Sequence, residues 1–143
     1  IKRQLSPSPK IAGKSLRIEA EVRLKAQATP QGVLLAQGGK EHGYAIHWLK
    51  GKLAFDVRVD GKVPRVQINA PTKGKLKVVA VLDQQVISLE VEGARAKMNS
   101  PGLIPVQPKD DLSIGFDDQT AAGNYNVPNS FNGKVLSYSV NKR

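Results

Sequence analysis

Apolar and polar residues alternate one by one along most of this sequence. The clearest run extends from Leu16 to Leu24, where every second residue is apolar and the residues between them are charged. Similar runs occupy residues 53–59, 87–91, 112–116 and 136–140. Because successive side chains of a strand point to opposite faces, this period of two predicts strands with one face on a core and one in water. No window has a convincing helical period with caps.

Turn residues separate the predicted strands. Asp60-Gly61 is a strong hairpin signal, and other short connections lie at 50–52, 83–85 and 92–94. The segment from Leu76 to Leu82 is apolar on both faces and predicts a central strand. About ten to twelve short strands at this spacing predict an all-β domain, either a sandwich or a barrel.

The length of 143 residues fits one domain. We expect residues 15–143 to form it, preceded by a linker and a first edge strand in residues 1–14, and we expect 99–111 to be an ordered crossing loop. Ile1 is not a natural start, which suggests a piece of a longer protein. There is no cysteine, which excludes disulfides and thiolate chemistry. No apolar run reaches the length of a membrane span.

The formal net charge is +10, from 22 Lys and Arg against 12 Asp and Glu. Such a field favours polyanionic partners, namely nucleic acid, acidic or sulfated polysaccharide, or an anionic membrane surface. The alternative is that a basic surface only keeps a small domain soluble. The positive residues are dispersed rather than gathered in a tail.

Catalytic motifs are missing from the sequence. There is no nucleophile elbow, no zinc-protease motif and no phosphate-binding loop. Glycoside hydrolysis needs two carboxyl groups across a sugar, and the nearest pairs are Glu19 with Glu21 and Glu90 with Glu92. Each pair sits among residues typical of a solvated face. A hydrolase of this fold class therefore remains only a remote alternative.

One loop concentrates hard oxygen donors. Residues 115–133 hold many Asp and Asn side chains, and calcium binds six to eight such oxygens. The candidate calcium ligands are Asp117, Asp118, Asn124 and Asn126. The alternative is that Asp and Asn collect here because they bond their own backbone in turns.

Aromatic residues are too few to predict an extended sugar platform. The chain has one Trp, three Tyr and three Phe. Trp48 shares a strand face with Tyr44, so we expect it in the core, whereas Tyr125 is the best candidate for an exposed platform. The same scarcity argues against single-stranded nucleic acid, and the lack of a helix argues against sequence-specific DNA reading.

Several motifs in order resemble a known module. Gly32-Val33-Leu34-Leu35-Ala36-Gln37-Gly38-Gly39, Gly51-Lys52-Leu53-Ala54-Phe55-Asp56 and Leu112-Ser113-Ile114-Gly115-Phe116-Asp117-Asp118 carry the resemblance. Together they look like the laminin-G-like domain appended to the C-terminus of bacterial arylsulfatases of the marine, planctomycete type. The resemblance implies a two-sheet antiparallel β-sandwich, the concanavalin A-like jelly roll. It also implies an exported parent enzyme, whose nucleophile motif is absent from this chain.

Together these features predict a non-catalytic accessory domain. It would bind an anionic or sulfated polysaccharide or pack against a parent sulfatase catalytic domain. The predicted ligand surface joins the loop 117–132 to the turn 38–44, and its candidate residues are Arg58, Arg65, His42, Tyr44 and Tyr125. Arg58 and Arg65 are candidates because guanidinium groups pair with sulfate and carboxylate. The rival hypothesis is a structural or protein-interaction module without a ligand, which predicts a large apolar patch.

Overall fold

The computed structural model describes residues 3–143, so the first two residues of the predicted linker lie outside it. Every regular element in this range is a strand, and no helix is present that could span a membrane. The eleven strands are β1 (Arg3–Leu5), β2 (Leu16–Arg23), β3 (Gly32–Gly38), β4 (Gly43–Leu49), β5 (Lys52–Arg58), β6 (Arg65–Asn69), β7 (Lys75–Leu82), β8 (Val86–Val91), β9 (Ala94–Asn99), β10 (Leu112–Ile114) and β11 (Lys134–Lys142).

Two antiparallel sheets form a sandwich. Sheet A has six strands in the order β1-β10-β3-β4-β5-β6, and sheet B has five in the order β11-β2-β7-β8-β9. The segment 100–111 crosses from sheet B to sheet A, as expected. The prediction of an all-β, two-sheet sandwich is confirmed.

The core lies between the sheets and follows the alternation of the sequence. Leu16, Ile18, Ala20 and Val22 of β2 all point inward and are buried. Burying such side chains is the main favourable contribution to folding, at roughly 25 cal/mol for each Å² of apolar surface. Trp48 is buried as expected, with 1% of its surface exposed.

The central strands of sheet A are covered on both faces. All seven residues of β3 are buried, and β4 and β5 are buried except at their ends. Residues 115–133, which connect β10 to β11, pack on the outer face; we call them the covering loop. Small residues on that face let the loop approach, and they form a second apolar cluster with the loop: Val33, Ala36, Ala45 and Ala122.

The segment Leu76–Leu82, which was predicted to be covered on both sides, is not in sheet A. It forms β7, the middle strand of sheet B, so its central position is as expected. Its outer face is more open than predicted, because Lys77 is exposed and Val81 is half-buried. The apolar residues at Val79 and Val81 are instead flanked by long charged side chains of neighbouring strands.

Candidate functional site

A buried ion-pair network lies on the outer face of sheet A. Asp56 of β5 has no exposed surface, and Arg65 of β6 donates two hydrogen bonds to its carboxylate, at 2.6 Å to Oδ1 and 2.8 Å to Oδ2. His47 Nε2 of β4 lies 3.0 Å from Asp56 Oδ2. Burial by itself would raise the pKa of Asp56, but hydrogen bonds from Arg65 and His47 outweigh it and hold that pKa well below its usual range. Asp56 is therefore ionised, and His47 Nε2 carries the hydrogen.

This network holds the covering loop on the sheet. The backbone N–H of Asn124 donates to Asp56 Oδ2 at 2.9 Å, and the Asn124 carbonyl accepts from Arg65 at 3.3 Å. A Cβ added to Gly123 would lie 2.6 Å from Asp56 Oδ2, so only glycine allows this approach. Arg58 extends the network, because its Nη2 donates to the carbonyl of Gly123 and its Nη1 to that of Lys40, both at 3.0 Å.

A second carboxylate braces the loop from within. Asp117 is 2% exposed and accepts hydrogen bonds from the Tyr125 hydroxyl and from the backbone N–H of Ala122. The Tyr125 ring packs edge-on against His47, with 4.8 Å between ring centroids. Burial raises the pKa of Asp117 to about 6, although the hydrogen bond from Tyr125 opposes that rise. Burial, and then the charge of Asp117, raise the pKa of Tyr125 as well.

Asp117 makes stability depend on pH. Its pKa is about 6 in the folded protein and near 3.9 in an unfolded chain, so between these values the folded state holds a proton that the unfolded state lacks. Stability should therefore rise as the pH falls from 7 to about 4.5, by on the order of 2 kcal/mol. Asp56 acts oppositely, and its contribution is lost only as the pH falls below its unfolded pKa.

Urea denaturation of the wild type and of Asp117→Asn at pH 7.0 and 4.5 measures this effect. Asparagine can still accept hydrogen bonds from Tyr125 and Ala122, so the variant should fold, and its stability should change less between the two pH values. Equal pH dependence in both proteins would contradict the assignment.

A groove opens beside this braced loop. Its walls are residues 39–42 of the β3–β4 turn and residues 106–110 of the crossing segment, with Thr120 of the covering loop between them, and its volume is about 400 Å³. Val106 is 57% exposed and supplies an apolar surface. Lys40 and Lys109 line the groove together with Glu41 and Asp110, so its formal charges balance.

The groove walls are held in place by hydrogen bonds. Thr120 Oγ1 donates to Asp110 Oδ2 at 2.5 Å, and a Cβ added to Gly39 would lie 2.3 Å from that Thr120 oxygen. The side chain of Gln107 is held by the segment before β2: its Nε2 donates to the Pro9 carbonyl at 2.9 Å, and its Oε1 accepts from the Ile11 N–H at 2.8 Å. The groove is therefore largely preformed, as binding sites commonly are.

The structure brings only some of the predicted ligand residues to an accessible surface. His42 lines the groove, with its side chain 19% exposed and its Nδ1 accepting from the Asp60 N–H at 3.3 Å. Tyr44 has no exposed surface and donates to Gln37 inside the core, because its position in β4 has the inward parity of Trp48. Tyr125 is half-buried with its hydroxyl engaged by Asp117, so it is a brace and not an exposed platform.

The two predicted anion-binding arginines are occupied within the fold. Arg65 is paired with Asp56, and Arg58 bonds two backbone carbonyls. Both residues lie on the outer face of sheet A, where alternation alone indicates solvent. The covering loop turns that face into an interior, and there the guanidinium groups meet carboxylate and carbonyl oxygens of the same chain.

The predicted calcium ligands do not converge in this structure. Within residues 3–143, no group of three or more His, Cys, Asp or Glu side chains is placed to hold a metal ion. Asp117 bonds Tyr125 and Ala122, and Asp118 accepts from Gln4 at 2.8 Å. Asn124 and Asn126 are exposed. The carboxylates thus bond within the chain, and calcium binding stays a prediction that a calcium titration would test.

The carboxylate pairs considered for hydrolysis lie on the exposed face of sheet B. Glu19 and Glu21 are ion-paired with Lys77 at 3.2 Å and Lys75 at 3.4 Å. The hydrogen bond from Lys77 lowers the pKa of Glu19. A glycosidase acid needs the opposite shift, a raised pKa in a cleft. This geometry gives the hydrolase alternative no support.

Sequence reasoning missed the central residues of the site. Asp56 and His47 occupy outward positions of their strands and look like ordinary solvated residues. The available signal was the apolar or small character of their outward neighbours Val33, Ala36, Ala45 and Ala54, which is unusual for a wet face.

Comparisons with known proteins give a fold and no family. No family model matches the chain, and no curated protein matches it. Among solved structures, mouse laminin α1 domains LG4-5 superpose with a TM-score of 0.79 at 18% identity, covering 99% of this chain and 40% of that one. The likeness is one of fold. Residues 3–143 form a laminin-G-like, concanavalin-like jelly roll, as the resemblance implied.

A second group of similar structures consists of carbohydrate-binding modules. The CBM40 of the Ruminococcus gnavus IT-sialidase, bound to α2,3 sialyllactose, has a TM-score of 0.67 at 14% identity and covers 97% of this chain and 88% of that one. A further laminin structure, the LG1-3 region of the laminin α2 chain, superposes with a TM-score of 0.71 at 18% identity, covering 97% of this chain and 29% of that one. At such identities only the fold is shared.

Proposed function

We propose that this chain is a non-catalytic carbohydrate-binding module that holds the end of a glycan in the groove between residues 39–42 and 106–110. The observation that carries this proposal is the groove itself. It combines an exposed apolar surface at Val106 with charged and polar groups on braced walls. A sugar ring offers the same combination, with apolar C–H faces and hydroxyl groups at its edge.

Two further observations support a binding role. The polar network of Asp56, Arg58 and Arg65 joins the covering loop to the β3–β4 turn, so the groove needs no large rearrangement to accept a ligand. A structurally similar module from R. gnavus is described with a bound sialylated lactose. These points favour a glycan over an unrelated small molecule.

Val106→Gln should weaken glycan binding by at least about tenfold, which corresponds to about 1.4 kcal/mol. The substitution replaces the apolar surface with an amide and leaves the core untouched. A glycan array that includes sialyllactose, neutral oligosaccharides and sulfated oligosaccharides would first identify a ligand. Titration calorimetry would then compare the wild type with the variant.

Met98→Gln is the matched control, because Met98 is the other exposed large apolar side chain within residues 3–143 and lies on β9, which does not line the groove. It should bind as the wild type does. If no glycan bound, or if Val106→Gln and the wild type bound equally, the groove would not be a sugar site.

Finer proposals concern the ligand and the parent protein. The resemblance to sulfatase-associated modules supports a sulfated ligand and an exported parent sulfatase, while the R. gnavus structure supports a sialylated ligand. The groove lining has balanced charge, with two lysines against Glu41 and Asp110, and so does not by itself select an acidic sugar. The array comparison distinguishes these ligands directly.

The rival proposal is a protein-interaction module. It predicts a large apolar patch, whereas the exposed large apolar residues within residues 3–143 are Met98 and Val106, on different elements. Docking on a parent domain would therefore have to use polar contacts. The glycan proposal has the more specific structural support.

A further inference from the structure

The positive charge is gathered at one end of the sandwich. We call the end that contains the β2–β3, β4–β5 and β6–β7 connections the basic end; the opposite end contains the groove. Connections 24–31, 50–51, 70–74 and 132–133 meet there and contain no Asp or Glu, and the β8–β9 turn at the same end contains Glu92. Seven cationic residues are exposed at or beside these connections: Arg23, Lys25, Lys50, Lys52, Lys73, Lys75 and Lys134.

The opposite end is electrically balanced. Its connections 6–15, 39–42, 59–64, 83–85 and 100–111 hold five lysines and five acidic residues. The covering loop adds Asp117 and Asp118, and the C-terminal end of β11, which pairs with the start of β2, adds Lys142 and Arg143. The net charge of +10 therefore does not surround the domain evenly, and the groove does not account for it.

Three of the cations form a row across neighbouring strands. Lys134 of β11 pairs in register with Arg23 of β2, and Arg23 pairs with Lys75 of β7. All three side chains are exposed on the outer face of sheet B, because Val22, Leu76 and Val135 beside them point into the core. Nearby acids are few: Glu21 pairs with Lys75 at 3.4 Å, and Glu92 lies in the β8–β9 turn.

We propose that the basic end binds a linear sulfated or carboxylated polysaccharide, at a surface separate from the groove. Neighbouring strands are spaced at about 4.8 Å, so the row presents one cation per strand at that interval. This interval is close to the length that one sugar residue adds to a chain. A polysaccharide with an anionic group on successive residues can thus meet Lys134, Arg23 and Lys75 in turn.

Other polyanions fit this surface less well. Single-stranded nucleic acid uses aromatic side chains for base stacking, and the connections at the basic end contain none. Sequence-specific reading of duplex DNA requires a helix or a two-stranded ribbon that enters a groove, whereas this row lies on the face of a sheet. A membrane surface usually also takes up apolar side chains, and the connections of the basic end expose no large apolar residue.

The test compares two charge-matched triple variants. Arg23→Gln/Lys75→Gln/Lys134→Gln removes the row, and Lys10→Gln/Lys62→Gln/Lys97→Gln removes three exposed lysines elsewhere. Binding to heparin would be measured at several salt concentrations, and thermal melts would confirm that both variants fold. We expect the row variant to bind at least about tenfold more weakly with a smaller salt dependence, because fewer counterions are released.

Further measurements can overturn the proposal. Absence of heparin binding by the wild type near physiological salt, or equal weakening in both triple variants, would show that no specific surface exists. Tighter binding of duplex DNA or of phosphatidylserine vesicles than of heparin would reject a polysaccharide as the partner. Heparin affinity should also rise from disaccharide to tetrasaccharide, since a disaccharide cannot span the row.

The proposals for the groove and for the basic end can be tested separately. Val106→Gln should leave heparin binding unchanged, and the row variant should leave binding of a short neutral glycan unchanged. If one substitution abolished both activities, the two would share a single site and this inference would be wrong.

Discussion

Replacing Arg65 with glutamine should destabilise the fold by about 3 kcal/mol, the usual result of breaking a buried ion pair. Asp56 is fully buried and accepts two hydrogen bonds from Arg65. Without the guanidinium, burial would no longer be opposed as strongly and the pKa of Asp56 would rise. The destabilisation should therefore be largest at neutral pH and smaller in acid, where Asp56 can take up a proton. Urea denaturation of the wild type and of Arg65→Gln at neutral and at acidic pH measures this destabilisation.

Two further variants separate the charge effect from lost packing. Arg17→Gln is the control, because Arg17 forms an exposed ion pair with Glu19 at 3.4 Å, and such pairs contribute about 0–1 kcal/mol. The double variant Asp56→Asn/Arg65→Gln removes the unpaired charge and should be more stable than Arg65→Gln alone. If Arg65→Gln were no more harmful than Arg17→Gln, Asp56 would not depend on its partner.

Replacing Gly32 with alanine should destabilise the protein by about 3 kcal/mol, from steric overlap together with left-handed backbone geometry. Gly32 begins β3 with a φ of 107°, and an added Cβ would lie 2.2 Å from the Ser130 carbonyl oxygen and 2.5 Å from Phe131 Cα. Both contacts are to backbone, so no side chain can rotate away. The strand or the covering loop would have to move.

Gly51→Ala is the matched control for this prediction. Gly51 also has a positive φ, 80°, but an added Cβ would have nothing within 4 Å. Gly51→Ala should lower the free energy of unfolding only by the cost of left-handed backbone geometry for alanine, about 1 kcal/mol. Thermal and urea denaturation of both variants measure the difference. Equal losses would mean that the covering loop can shift away from β3 at little cost.

Local sequence patterns were sufficient for the strands and for most of the core. The run Leu16–Leu24 alternates strictly, and every apolar member of it is buried. Trp48 and Phe55 are in the core by the same parity. This works because the direction of a side chain in a strand depends only on its position along that strand.

The candidate site residues were predicted from the same alternation, and these predictions were less accurate. Arg58 and Arg65 have outward parity, which in an ordinary sandwich means solvent, but the covering loop contacts both and leaves them only half-buried. The contacts of the covering loop join residues far apart in the chain: Asn124 and Asp56 are 68 positions apart, and Gly123 and Arg58 are 65 apart. No local pattern contains that information.

The distribution of charge has the same explanation. The composition shows +10 and the sequence shows that it is dispersed, yet the basic connections 24–31, 50–51 and 70–74 are separated by whole strands. The order of strands in the two antiparallel sheets brings them to one end.

The sequence by itself thus determined an all-β domain, its strands and their inward faces, because alternation is a local property of the chain. Only the tertiary structure decided that the outer face of the central strands of sheet A is covered, that Arg65 pairs with Asp56 there while Arg58 bonds backbone carbonyls, and that seven exposed cations share one end. Those outcomes depend on contacts between distant segments, which arise only when the two sheets and the covering loop are assembled.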